Sequence, residues 1–176
     1  MTTARPISVA ELLDLADELA GRGGTGPPTA IKLRRSISSA YYALFHELSF
    51  RATQRLLGSA SWGATEAAVA RWVTHTDLAT LARAATGGGS PALRVALGWM
   101  NEEVIRIAEA FLDLHDARER ADYDDTFDVS AAVVLSLADL ARDSVNRSVR
   151  MIDSGDPTYN RFLALAMGGV KVAKNR

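Results

Sequence analysis

TAIKLRRSISSAYYALFHELSFRATQRLL, residues 29–57, is the stretch of this sequence that decides the fold. It contains neither glycine nor proline, and its apolar side chains recur every three or four residues. That spacing is typical of an α-helix with one buried face. At 1.5 Å per residue the helix would be about 40 Å long, and Gly58 would end it. The apolar positions are Ile31, Leu33, Ile37, Tyr41, Leu44, Phe45, Leu48, Ala52 and Leu56.

Helical patterns also cover the flanking segments. Ser8, with a glutamate three residues later, forms a capping-box pattern that predicts a first helix ending near Ala20. Residues 67–85 predict a further helix, which could break where Thr76 or Asp77 caps a new start. Glycine-rich connectors separate these segments, so we expect the helices to fold back on one another.

The second half of the chain continues this pattern. Apolar spacing predicts one helix from about Val95 to the segment that ends at Tyr123, and Ser130 caps the next helix. No stretch alternates polar and apolar residues long enough to predict a β-strand. The predicted fold class is all-α, an antiparallel up-and-down helical bundle of about five or six helices. Residues 1–157 are predicted to form one domain, and residues 158–176 a C-terminal arm that is weakly helical, then basic and flexible.

Composition narrows the classes of function. The 176 residues are 48% hydrophobic, which is enough for a substantial core. The net charge of -1 excludes a global attraction to nucleic acid, so any such binding needs a local basic patch. The absence of cysteine excludes disulfides, thiolate metal sites and a cysteine nucleophile. Neither a signal peptide nor a membrane-spanning stretch is recognisable, which predicts a cytoplasmic protein without membrane association.

A polar stripe runs along one face of the long helix. Steps of four and three residues return to the same side of an α-helix, and here they join arginine, serine, tyrosine and histidine. The stripe lies beside the apolar face and could line a partly buried groove. Its members are Arg35, Ser39, Tyr42, His46 and Ser49.

A second polar segment lies later in the chain. Residues 113–128 contain seven acidic side chains but only two bases, Arg118 and Arg120. An arginine among so many carboxylates is normally ion-paired, so at least one of the two is expected to have a structural role. The three histidines of the sequence show no metal-ligand spacing such as i, i+4 on one helix, and we predict no metal and no cofactor.

These two segments together resemble the signatures of a known family. Residues 38–46, Ser-Ser-Ala-Tyr-Tyr-Ala-Leu-Phe-His, and residues 114–123, Leu-His-Asp-Ala-Arg-Glu-Arg-Ala-Asp-Tyr, are similar to the paired motifs of the HEPN superfamily of small helical domains (higher eukaryotes and prokaryotes nucleotide-binding). Thr74-His75 is a weaker match to a Thr-His pair in those proteins. The likeness covers roughly residues 30–155 and concerns a prokaryotic group with an Arg-x-x-Ala-Asp-Tyr segment.

The resemblance implies a chemistry centred on Arg118. In HEPN members that cut RNA, an arginine orients or stabilises the scissile phosphate, and a histidine four to six residues later aids transfer of the 2′-hydroxyl proton. Arg118 matches that arginine, but no histidine follows it, and Asp122 stands about where the histidine would be. An ionised aspartate would repel a phosphate unless burial, Arg120 or a metal offset its charge.

The missing histidine favours an interaction domain over an enzyme. By the resemblance, we expect a homodimer that binds RNA, a nucleotide or a partner protein in a groove around Arg118. Such domains often belong to toxin-antitoxin or defence modules, beside a nucleotidyltransferase-type antitoxin partner. The predicted ligand-binding residues are Arg35, Tyr42, His46 and Arg120.

Two alternatives stay open. The chain could be a metal-independent, toxin-like endoribonuclease in which a displaced acid-base group, His115 or His46, replaces the missing histidine. It could also be that the segment from residue 118 to residue 123 only joins two helices through Arg-Asp pairs. The candidate catalytic residues are Arg118, His115, Tyr123 and Asp122.

Overall fold

The computed structural model describes residues 7–58 and 61–174, and this part of the chain is all-α, with nine helices and no strand. The helices form a bundle, as the sequence predicts. They are α1 (Val9–Ala20), α2 (Ala30–Leu57), α3 (Ala64–Ala70), α4 (His75–Ala85), α5 (Pro91–Leu97), α6 (Glu102–Tyr123), α7 (Ala131–Asp153), α8 (Pro157–Ala166) and α9 (Gly169–Lys174).

The long helix α2 is the centre of the bundle. It packs against α1, α6, α7 and α8, so apolar residues around much of its circumference are buried. Ile37 and Leu44 are fully buried, and Tyr41 is 1% exposed. Gly58 ends the helix with a left-handed φ of 63°, which a residue with a side chain rarely adopts.

Side-chain caps set the helix starts. Ser8 accepts a hydrogen bond from the backbone N–H of Glu11, and Ser130 caps α7 in the same way, as predicted. The predicted break within residues 67–85 is present, but Thr74 is the cap of α4, not Thr76 or Asp77. Thr74 has the extended backbone that the position requires, and its hydroxyl accepts a hydrogen bond of 3.1 Å from the backbone N–H of Asp77.

The single helix predicted to run from Val95 to Tyr123 is divided in two. Gly98 interrupts it with a φ of 61°, and Asn101 then caps α6 by accepting from the backbone N–H of Glu103. The apolar spacing spans the interruption because α5 and α6 both bury their faces in the same core. This division and the one at Thr74 raise the number of helices among the described residues above the predicted five or six.

Residues 158–170 contribute to the main core instead of forming an arm, and the last two residues of the predicted arm, 175 and 176, lie outside the described part of the chain. Tyr159, Phe162 and Leu163 on α8 are fully buried, and Val170 on α9 is 1% exposed. Asp156 caps α8, and the proline that follows it begins the helix, where the ring of proline favours a helical φ and its missing N–H is not needed. Local propensity underestimates α8 because its stability comes from burial. Among the described helices, none has the length and apolarity needed to cross a membrane.

Candidate functional site

Arg118 on α6 is held between two helices. Its side chain is 20% exposed, and its Nε lies 2.7 Å from Oδ2 of Asp122, one turn later on the same helix. Nη2 donates a hydrogen bond of 3.3 Å to the hydroxyl of Tyr42 on α2. The Nε–H is not aligned with the carboxylate, so the contact with Asp122 is an ion pair without a linear hydrogen bond.

Asp122 is shared between the two helices. Its side chain is 22% exposed, and Oδ1 accepts a hydrogen bond of 2.9 Å from the hydroxyl of Ser38 on α2. The carboxylate therefore lies within reach of one cation and one donor. Arg118 itself pairs with the carboxylate that would repel a phosphate, whereas Arg120 lies against Phe127.

Aromatic rings surround the guanidinium of Arg118. Its central carbon lies 5.9 Å from the ring centre of Tyr42, 6.0 Å from that of Tyr41 and 5.4 Å from that of Tyr123. These distances are within the range of cation–π attraction. His46 stacks on the far end of this group, with its ring centre 6.1 Å from that of Tyr42.

Tyr41 and His75 form a buried polar pair beside Arg118. The Tyr41 hydroxyl and Nδ1 of His75 are 2.6 Å apart. Burial raises the pKa of Tyr41 well above its usual value, although Arg118 opposes this shift. Burial lowers the pKa of His75, and Arg118 and His115 lower it further. At neutral pH the phenol is protonated and the imidazole uncharged, so the phenol donates to Nδ1.

His115 lies on the same side of α6 as Arg118, one turn earlier. Its side chain is 12% exposed, and its ring centre is 5.8 Å from that of Tyr41. Nδ1 lies 3.5 Å from Asp116, and Nε2 lies 3.8 Å from Glu119. The ligand atoms of these three residues lie within 4.8 Å of one another, so they could bind a cation. Counting histidines alone missed this group because two of its members are carboxylates.

Two predicted ligand-binding residues lie away from Arg118 and the side chains that contact it. Arg35 is exposed, and no hydrogen bond, ion pair or ring contact joins it to another residue in ranges 7–58 and 61–174. Arg120 stacks on Phe127, 4.4 Å from its ring centre, and lines a separate cavity of about 450 Å³ that includes Asp128. The structure therefore joins Arg118 to Tyr42, Asp122, Tyr123, His115 and His46, but not to Arg35 or Arg120.

Arg34 makes hydrogen bonds that the sequence did not indicate. From α2 it donates hydrogen bonds to the backbone carbonyls of Ala121, Asp125 and Phe127, at 3.1, 3.2 and 2.8 Å. It thereby satisfies acceptors at and beyond the C-terminus of α6. The alternative in which residues 118–123 only join two helices is partly present here, because Arg34 and Ser38 connect α2 to α6 in addition to Arg118.

His75 is the main site residue that sequence reasoning left out. Its only signal was the Thr74-His75 pair, since a histidine at the first position of a helix has no distinctive pattern of its own. Comparison of the chain with protein-family models, with curated proteins and with solved structures finds no significant match.

Proposed function

We propose that this chain is a HEPN-like interaction domain that binds the phosphate of RNA or of a nucleotide beside Arg118. The observation that carries the proposal is the arrangement of the guanidinium. Asp122 and Tyr42 contact two of its nitrogens, while Nη1 makes no hydrogen bond within the described residues and the side chain is 20% exposed. A fixed guanidinium with one free edge is suited to a phosphate oxygen.

Tyr42 adds a second donor at the same place. Its oxygen accepts from Arg118, which leaves its own proton available to a ligand. A phosphate could therefore receive one charged and one neutral hydrogen bond from adjacent groups. The ring centres of Tyr42 and Tyr123 both lie within 6 Å of the guanidinium carbon, and Tyr123 is 75% exposed. An exposed aromatic ring next to a phosphate contact favours a ligand with a base to stack.

The same geometry favours binding over cleavage. Asp122, at the position of the family histidine, is ion-paired with Arg118 and accepts from Ser38, so both of its oxygens already have partners. His75 uses Nδ1 to accept from Tyr41. The resemblance of the two sequence segments to HEPN signatures adds weight to a phosphate ligand, as it did from sequence alone.

The test is binding of fluorescently labelled single-stranded RNA and of labelled ATP in low salt, with Arg118→Ala as the variant. Losing one charged hydrogen bond corresponds to about 1.5–3 kcal/mol, so affinity should fall about tenfold or more. Arg106→Ala is the matched control, since Arg106 lies on the same helix and pairs with Glu102 on an exposed face. Equal binding by the wild type and both folded variants would remove the proposal.

A ribonuclease is the second candidate, favoured by the position of His115. His115 precedes Arg118 by three residues on α6, so the two side chains lie on the same side of that helix, and both contact the ring of Tyr41. This candidate predicts cleavage of single-stranded RNA in the presence of EDTA, and its loss in both His115→Ala and Arg118→Ala. A varied RNA pool left intact by the wild type would exclude it.

The proposed setting follows the family resemblance: a homodimer in a toxin-antitoxin or defence module, next to a nucleotidyltransferase-type partner. Light scattering coupled to size-exclusion chromatography tests the homodimer directly. A mass near that of one 18.9 kDa chain at micromolar concentration would contradict the homodimer.

A further inference from the structure

A cavity of about 490 Å³ lies between α2, α3 and the first turn of α4. Its volume is within the range of small-molecule sites, which is about 300–1,000 Å³. The cavity is next to Arg118 and the aromatic rings around it. His46 and His75 line the cavity, and both of their rings contact Tyr42, which binds Arg118. Its other walls come from residues that the phosphate-binding proposal does not use.

The walls of this cavity are rich in aromatic rings. Phe50 and Trp62 line it with their ring centres 5.3 Å apart and tilted by 38°. Phe45 lines it as well and stacks on His75 at 3.9 Å. Aromatic walls offer flat faces and edges, which favour a planar ring over a branched aliphatic group.

The charged side chain in the wall of the cavity is positive. Arg71 is the only lysine or arginine among the described residues that line it, and no aspartate or glutamate does so. Arg71 is exposed, and within residues 7–58 and 61–174 it has neither an ion pair nor a hydrogen bond. Its guanidinium is therefore available to an anion in a cavity whose walls are mainly apolar.

His75 supplies a polar atom within the wall. Nδ1 is bound to Tyr41, and Nε2 has no hydrogen bond in the described part of the chain. Because Nδ1 accepts, Nε2 carries the proton and can donate to a ligand. The cavity thus combines ring faces, one neutral donor and one cation.

We infer that this cavity binds a small planar aromatic molecule that carries a negative charge, with its ring packed against the Phe50–Trp62 pair and its charge at Arg71. Two sources share this chemistry: an aromatic carboxylate, and a nucleotide whose base is the ring and whose phosphate is the anion. The inference does not depend on phosphate binding at Arg118, because the residues that carry it are different.

The test uses 2-naphthoate and its neutral analogue naphthalene-2-carboxamide, which differ in charge but hardly in shape. Trp72 and Trp99 are 53% and 76% exposed and do not line the cavity, so a Trp72→Phe, Trp99→Phe double variant leaves Trp62 as the only reporter. Naphthoate should change Trp62 fluorescence with saturation at one equivalent, and should bind about tenfold more tightly than the amide.

Three variants locate the site. Arg71→Gln should remove the preference for naphthoate over the amide, whereas Arg55→Gln, an exposed arginine outside the cavity, should not. Ala67→Phe, which places a phenyl ring in the cavity from α3 and adds no tryptophan, should abolish binding of both probes while the protein stays folded by circular dichroism.

Competition separates the two sources. If AMP displaces naphthoate, the ligand class is the nucleotide. If AMP does not displace naphthoate, the ligand class is the aromatic carboxylate. The inference is overturned if neither probe binds saturably, if both bind equally, or if binding survives Ala67→Phe. None of these readouts involves Arg118, so failure here and failure of the proposed function are distinguishable.

Discussion

Lowering the pH from 7.5 to 5.5 should destabilise the folded protein through His75. Burial, together with Arg118 and His115, holds the pKa of His75 below the ordinary value of 6.5. The unfolded chain therefore binds a proton near pH 6.5 that the folded chain does not yet bind. As the pH drops from 6.5 to the lowered pKa, the free energy of unfolding should decrease by at most about 1.36 kcal/mol for each pH unit. Above pH 7.5 both states are neutral at this residue and the effect disappears.

The assay is urea unfolding followed by circular dichroism at pH 7.5, 6.5 and 5.5, for the wild type and for His75→Gln. Glutamine does not titrate, but it keeps an oxygen that can accept from Tyr41. Aspartates with a lowered pKa, such as Asp124 and Asp156, titrate below this range and cancel in the comparison. Equal pH slopes in the two proteins, or a wild type that becomes more stable on acidification, would refute the reasoning.

Phe162→Ala should lower the free energy of unfolding by about 3–5 kcal/mol, because Phe162 is fully buried; a loss below about 1 kcal/mol in urea unfolding would contradict its place in the core. Asp156→Ala removes the cap that accepts from the first free amides of α8 and should cost about 0.5–2 kcal/mol. Thermal melting checks this against Asp153→Ala, and equal shifts would show that capping is not the cause. Tyr159→Phe removes a hydroxyl bonded at 2.7 Å to buried Ser148 and should cost about 1–3 kcal/mol in urea unfolding; unchanged stability would contradict that hydrogen bond.

Local pattern was enough to predict much of the architecture. The glycine-free run of α2, the caps at Ser8 and Ser130 and the stop at Gly58 are properties of neighbouring residues, and the structure confirms them. The all-α class follows from the same periodicity. The interruption at Gly98 was missed because the apolar spacing continues across it.

The candidate site depends more on tertiary contacts. The meeting of Arg118 with Tyr42 joins residues 76 positions apart, and only the family resemblance suggested it. The bond between Tyr41 and His75 could not be predicted, since a tyrosine within an apolar stripe is usually a core residue. Arg35 and Arg120 share helices with the cluster residues, but helical spacing does not tell which partner helix a side chain will face.

The three carbonyls bound by Arg34 tie the end of α6 to α2. If the last turn of α6 unwound alone, the guanidinium of Arg34 would lose its acceptors at Ala121, Asp125 and Phe127 together. Fraying of this terminus is therefore penalised from outside the helix, and the segment should open only when α2 does. The backbone amides of Asp124 and Phe127 should accordingly exchange with deuterium as slowly as amides within a cooperative unit that includes α2.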